Sequence, residues 1–299
     1  MNQTASFFVN DTQVPYKEAG ALTKSQYELL IESRFQDAVQ SRSVNVGDST
    51  CLVKRRVTDS TFLGVDVWEL NFVKCVRGRA GDLIKAIREV VPTGALLTCL
   101  VDSKNTELFM ELQSCGAMVM GSNISWGFNR NLVNVSLLSL NVNYSKLTVE
   151  YEESYQACVR DSFGTYRSHY HLNEDTRATA SDLYVNQVFR STKQNSDVIV
   201  NLKKNEVIAF STINYHNEAD SYIGKQSVAE IGFSGVNGEE GNKGLYTANV
   251  KCTLSDMLER DIEWFFFGTS SSNFPVQRAW MAIGLYKPLR FSYRFHWKF

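Results

Sequence analysis

The sequence carries almost no net charge, with 31 lysines and arginines against 32 aspartates and glutamates. That balance offers no broad attraction to nucleic acid or to an anionic membrane, so neither is expected as a partner. The local basic spot VKRR, Val53 to Arg56, reads as a solvated strand edge. No CxxC pair occurs among the six cysteines, Cys51, Cys75, Cys99, Cys115, Cys158 and Cys252. They sit in apolar runs, which fits reduced, buried thiols in a cytosolic protein and not a disulfide frame. The opening MNQTASFFVNDTQ lacks the basic-then-apolar order of a secretory leader. No apolar run approaches the ~20 residues of a membrane helix. A soluble, cytoplasmic chain is the expectation. What is plentiful is core material: 43% hydrophobic and 12% aromatic residues, enough for one large domain or two small ones in 299 residues.

The stretch TSSSNFPVQRAWMAIGLYKP, Thr269 to Pro288, follows the aromatic strand IEWFFFG and closes it with small polar residues. Ser272 or Asn273 is placed to cap a helix, Pro275 suits its first turn, and Gly284 stands at the C-terminal stop. A polar mouth at a strand end is where ligands tend to be held.

The same order occurs earlier in the chain. VDVWELNFVKCV, AGDLIKAIREVV, GALLTCLVD, NTELFMELQSCGA and MVMGSNISWGF alternate strand and helix. SVAEIGFSGV, GLYTANVKCTLSDMLERD, IEWFFFGT, NFPVQRAWMAIG and LYKPLRFSYRFHWKF repeat that order, and the Asn105–Gly116 interval equals Asn273–Gly284. Ahead of the second copy, KLTVEYEES reads as a strand, and YQACVRDSF and TRATASDLYVNQVFRSTKQ as helices. NSDVIVNLKKNEVIAFSTINYH reads as two strands about a turn, and YELLIESRFQDAVQSR as an early amphipathic helix. The chain is therefore expected to be α/β, built as two related lobes, 1–145 and 146–299. The aromatic C-terminal strand is expected at a sheet edge, where a homodimer would form.

The element order, with its Asn-led final helix and the glycines of VNGEEGNKGLYTA, Val236 to Ala248, resembles the GNAT acyltransferase superfamily. The resemblance covers the C-terminal half well and the N-terminal lobe in outline. It implies a mixed twisted sheet of GNAT type in two tandem lobes, the N-terminal one degenerate, since VRGRAGD lacks a G-x-G array. It implies acyl-CoA as co-substrate, with Gly241, Asn242, Lys243, Gly244, Leu245 and Tyr246 around its pyrophosphate. The physical reason is that glycines admit a close backbone, and a helix N-terminus favours an anion. Gly241 stands where the family has Gln or Arg, and Tyr246 where it has Gly or Ala. Asn273 matches the family's pantetheine-contacting Asn, and backbone N–H groups from Phe233 through Gly235 to Val236 are expected to bind the thioester carbonyl. The family's Tyr acid falls on Trp280, whose indole is a donor but not a usable acid. Tyr246, Tyr286 and Tyr293 remain as substitutes.

For the base, His169 and His171 lead because imidazole titrates near neutrality, followed by Glu230 on the fourth strand of the lobe. His216 and Asp220 read as solvated. The histidine pair has no third ligand spaced for a metal, so none is expected. A narrower likeness, carried by PVQRAWMAIG, HWKF and SHYHLNED, is to bacterial enzymes that acylate nucleotide-linked amino-deoxysugars. It implies acetyl or hydroxyacyl transfer, for instance of 3-hydroxybutyryl, to a dTDP-linked aminodideoxyhexose for lipopolysaccharide or capsule. The competing readings are a non-catalytic acyl-CoA-binding protein and an acyltransferase acting on an amino acid or peptide amine.

Overall fold

Three successive phenylalanines, Phe265, Phe266 and Phe267, are all buried, so both faces of their strand are covered. A strand of that kind belongs in the middle of a sheet with a parallel neighbour. The computed structural model describes residues 4–8, 41–76, 78–138, 143–164, 166–193, 196–216, 228–241, 243–286 and 288–299. Within them the strands are β1 (Thr4–Phe8), β2 (Ser41–Val46), β3 (Ser49–Arg55), β4 (Val67–Val76), β5 (Leu96–Asp102) and β6 (Met118–Asn129). They continue as β7 (Tyr144–Lys146), β8 (Ser196–Lys203), β9 (Glu206–His216), β10 (Val228–Val236), β11 (Trp264–Ser270) and β12 (Pro288–Lys298). The α-helices are α1 (Val57–Leu63), α2 (Ala80–Val90), α3 (Thr106–Ser114), α4 (Glu152–Gly164), α5 (Ala180–Lys193), α6 (Leu245–Glu259) and α7 (Phe274–Ala282).

All strands join one sheet in the order β2-β3-β4-β5-β12-β6-β11-β10-β9-β8-β7, with β1 against β4. The parallel pairs β4–β5 and β10–β11 are the matching centres of the two lobes. Each lobe gives its last strand to the other. β6 ends the first copy yet pairs with β11, while β12 ends the second and pairs with β5. The cores follow the exchange. Phe295 and Trp297 of β12 pack with Leu70, Ile87 and Leu97, and Trp126 and Phe128 of β6 pack with Val250, Phe265 and Trp280.

The repeat extends to backbone geometry. Asn105 and Asn273 cap α3 and α7 with nearly equal dihedrals, φ −90, ψ 62 and φ −84, ψ 66. Gly116 and Gly284 follow in left-handed conformation, φ 87 and φ 90. In both, the N–H after the glycine reaches back five residues, Ala117 to Leu112 (3.0 Å) and Leu285 to Trp280 (3.1 Å), which ties off the helix end.

Four expectations are corrected. The C-terminal strand is not an edge, because β12 is paired on both sides, and the homodimer loses the surface it was assigned. The segment KLTVEYEES is not a strand beyond Lys146; Val149–Tyr151 forms a 3₁₀ turn leading into α4. VKRR is not a solvated sheet edge, since β3 pairs with β2 and β4 and its end faces a cavity. Ser41 and Arg42 of the early helix lie in β2, and the rest of that helix, like Asp220, lies outside the described residues. The LKKNE turn is present, with Lys204 and Asn205 both at positive φ, as a two-residue hairpin requires. Among the described residues no helix is long and apolar enough to cross a membrane.

Candidate active site

β10 and β11 pair only from Val228 to Ile231 against Trp264 to Phe267. Beyond that point they part, and a cavity of about 620 Å³ fills the gap, flanked by α4, α6 and α7. A bulge starts the parting: three residue steps from Ile231 to Ser234 on β10 face two from Ile213 to Ser211 on β9. Gly232 sits in the bulge, where a Cβ would lie 2.8 Å from the Thr212 hydroxyl.

The bulge decides which N–H groups are available. Phe233 N–H already donates to Thr212 Oγ1 at 2.8 Å. Asn237 N–H donates to Ile208 C=O at 2.9 Å, so the antiparallel alternation turns Gly235 N–H toward β9 as well. Ser234 and Val236 therefore direct their N–H groups into the gap. Within the span Phe233 to Val236 expected to offer donors, Ser234 and Val236 do so, whereas Phe233 and Gly235 turn theirs toward β9. All four line the cavity.

At one end of the cavity lies the start of α6. Gly244 is its N-cap, left-handed at φ 75, and makes no side-chain cap. The first N–H groups of this 15-residue helix have no intrahelical acceptor and, with the helix dipole, form an anion site. Gly241, Gly244, Leu245 and Tyr246 line this end, and Asn242 lies outside the described residues. Lys243 does not line it; its ammonium pairs with Glu240 Oε2 at 3.3 Å. Glu240 lines the cavity and is also paired with Lys203, and the two lysines hold its carboxyl below the usual range. Arg278 of α7 lines the same cavity, a cation that no motif had singled out.

Toward the floor stand Asn273, Tyr246 and Trp280. Asn273 Nδ2 donates to Thr269 Oγ1 at 3.1 Å, joining the helix start to the strand end. Trp280 is 2% exposed, edge-on to Trp126 at 4.8 Å, and its Nε1–H makes no hydrogen bond. Tyr246 reaches toward that N–H and toward Ser234, without closing a bond to the indole, and burial pushes its phenol well above the usual value. Two donors thus meet at one spot. Tyr286, 69% exposed, and Tyr293, packed on Phe109 in the other lobe, are not brought there.

No protein-family model and no curated protein matches the sequence. Solved structures do. A GCN5-related N-acetyltransferase from Sphaerobacter thermophilus aligns over 97% of this chain and 95% of its own, with TM-score 0.58 and 10% identity. One from Kribbella flavida covers 96% of both chains, with TM-score 0.55 and 11% identity. A tandem GNAT protein from the clavulanic acid biosynthesis pathway covers 97% of both, with TM-score 0.54 and 11% identity. The chain has the tandem GNAT fold.

Within this GNAT fold the histidines take structural places. His171 is 5% exposed; its Nδ1 accepts from Ser168 N–H at 3.0 Å and its Nε2 bonds Ser181 Oγ at 3.1 Å. Nδ1 caps the 3₁₀ turn His169–Leu172, and Nε2 ties that turn to α5 through Ser181. His169 Nδ1 bonds His296 Nε2 at 2.7 Å, and His296 Nδ1 takes Asn173 Nδ2 at 3.2 Å. Neither His169 nor His171 lines the cavity, so the pair is corrected as the leading base. Sequence showed two imidazoles on one loop but not their buried partners. Glu230 lies on β10 opposite Asn214 of β9, hence on the sheet face where Asn214 lines a second cavity.

Burial pushes His296 down to about 3, aided by Arg294, and holds His169 well below its ordinary value. The unfolded chain binds protons at these imidazoles from about pH 6.5 downward. The folded chain does so only at much lower pH. Stability is therefore full above about pH 6.5 and falls with pH through the window down to about 3. Calorimetric Tm should drop between pH 7 and pH 4, and a His296→Gln variant should show a shallower acid slope; equal slopes would remove the pair as the source.

Proposed function

We propose that this chain is an acyl-CoA-dependent N-acyltransferase. The observation that carries the reading is the single gap that gathers two free strand N–H groups, a helix N-terminus and the paired donors Tyr246 and Trp280. Acyl-CoA would supply a thioester carbonyl, at which an uncharged amine forms the new C–N bond as the C–S bond breaks. Gly241, Gly244 and the first turn of α6 would hold the pyrophosphate, with Arg278 beside it. Ser234 and Val236 N–H would hydrogen-bond the carbonyl oxygen as negative charge develops there. Tyr246 and Trp280 would donate to the departing sulfur, and Glu230, which does not itself line the cavity, would receive the proton lost by the amine through water.

The acceptor we propose is the amino group of a dTDP-linked aminodideoxyhexose, with an acetyl or hydroxyacyl group such as 3-hydroxybutyryl transferred. The support is the likeness of PVQRAWMAIG, HWKF and SHYHLNED to enzymes of that class. Surface-polysaccharide synthesis is the pathway this implies. A colorimetric thiol assay with acetyl-CoA and 3-hydroxybutyryl-CoA against dTDP-amino sugars should show acceptor-dependent thiol release. Binding of CoA in a calorimeter without release for any sugar would sink the sugar assignment and favour a peptide amine or a binding protein.

A further inference from the structure

A second cavity, of about 610 Å³, opens where the N-terminal lobe meets the C-terminal one. The end of β3 and the start of α1 form one wall, α5 forms another, and Asn214 and Phe233 of the C-terminal sheet lie between them. Its volume is that of small-molecule sites, roughly 300–1,000 Å³. Phe233 lines this cavity and the one between β10 and β11 as well, so the two cavities adjoin at that residue.

The lining is basic in a chain whose formal net charge is −1. Lys54, Arg55, Arg56 and Arg190 face the cavity, against one carboxylate, Asp59. Arg55 is held by Asp66, and Arg56 by Glu69 and Asp59 (3.2 and 3.4 Å), which fixes both guanidinium groups in place. Asp59 is spent on Arg56 and on the Tyr170 hydroxyl, which donates to it at 2.9 Å. Lys54 and Arg190 have no carboxylate within 4.0 Å among the described residues, and Arg190 donates to the neutral Thr58 hydroxyl. Collecting cations around a hollow costs self-repulsion, which a bound anion relieves. Arginine forks beside a lysine suit phosphate oxygens.

We infer that this second cavity holds the acyl acceptor by a phosphate or diphosphate group, with Lys54 and Arg190 as its principal contacts, and directs the amine past Phe233. The inference rests on the acyltransferase reading for the amine and the direction of transfer. The anion site itself stands on the second cavity alone. An acceptor bound this way spans both lobes, which gives the N-terminal lobe a part in substrate recognition.

The test is calorimetric titration of dTDP and of inorganic pyrophosphate into the full chain saturated with CoA, so that the first cavity is filled. Both probes should bind, with affinity falling steeply as salt rises. Lys54→Gln and Arg190→Gln, at half-buried and exposed positions, should each weaken dTDP about tenfold and leave CoA affinity unchanged. A Lys54→Arg variant should restore most of the loss. Overturning results are dTDP affinity equal in wild type and both variants, dTDP binding abolished by CoA, or binding of glutamate but neither phosphate probe. If CoA itself fails to bind, the acyltransferase reading fails; if CoA binds and dTDP does not, this inference alone falls.

Discussion

Replacing Tyr246 with Phe is expected to lower kcat for acyl transfer about a hundredfold and to leave KM for acyl-CoA nearly unchanged. The hydroxyl sits beside Ser234 and the unbonded indole N–H of Trp280, at the floor of the gap between β10 and β11. A group that meets sulfur only as the C–S bond breaks acts on the transition state, so its loss belongs in kcat. The phenol's pKa is raised by burial, while a free thiol titrates near ~8.5. Complete proton transfer from phenol to thiolate is therefore uphill, and its part is a hydrogen bond that disperses charge on sulfur. The sign for pH follows. A raised phenol stays protonated through the alkaline range, so kcat should show no Tyr246-dependent fall below about pH 10. A basic limb lost in Tyr246→Phe would instead identify proton donation. Trp280→Phe removes the second donor and part of an edge-on contact with Trp126, so it should lower Tm as well as kcat. Unchanged kcat in both variants would end the assignment.

Much of this was legible from local pattern. The β-α-β-α-β order of both copies appears in the fold because periodicity and glycine stops are encoded within ten or fifteen residues. Asn105–Gly116 and Asn273–Gly284 end as matching capped helices for that reason. The strand exchange was not legible. β6 and β12 have the same local character whichever lobe receives them, and only the cores tell them apart, through Trp126, Phe128, Phe295 and Trp297. The same limit applies to the site. Gly244 and Asn273 were reached through the resemblance to the GNAT motifs, whereas the N–H direction of Ser234 depended on a bulge and Arg278 on a helix face. His169 and His171 were misread because a free imidazole and one bonded to His296 or Ser181 are the same letter. The second cavity joins Lys54 to Arg190 across 136 positions, a distance no motif spans.

Gly244→Asp is expected to raise the Kd for CoA about a hundredfold, while Gly244→Asn stays within a few-fold of wild type. The contrast is set by the backbone. Gly244 has φ 75, and a Cβ built on it meets nothing within 4 Å, so any substitution is free of clash and differs only in strain and charge. Left-handed conformation costs an ordinary residue about 1–2 kcal/mol, and Asn and Asp tolerate it best. Strain is thus shared by the two variants, leaving charge as the difference. An Asp carboxylate here would occupy the positive end of α6, satisfy its free N–H groups and repel a phosphate seeking the same place. At an effective dielectric of about 20, two unit charges even 6 Å apart repel by about 3 kcal/mol, roughly a hundredfold in Kd. The backbone strain, which a cap worth a few tenths of a kcal/mol does not offset, should lower Tm by similar amounts in both variants. An affinity loss confined to the Asp variant therefore separates a lost binding site from a damaged fold. Titration calorimetry beside a thermal melt reads both, and an Asp variant binding CoA as tightly as the Asn variant would remove the pyrophosphate from the start of α6.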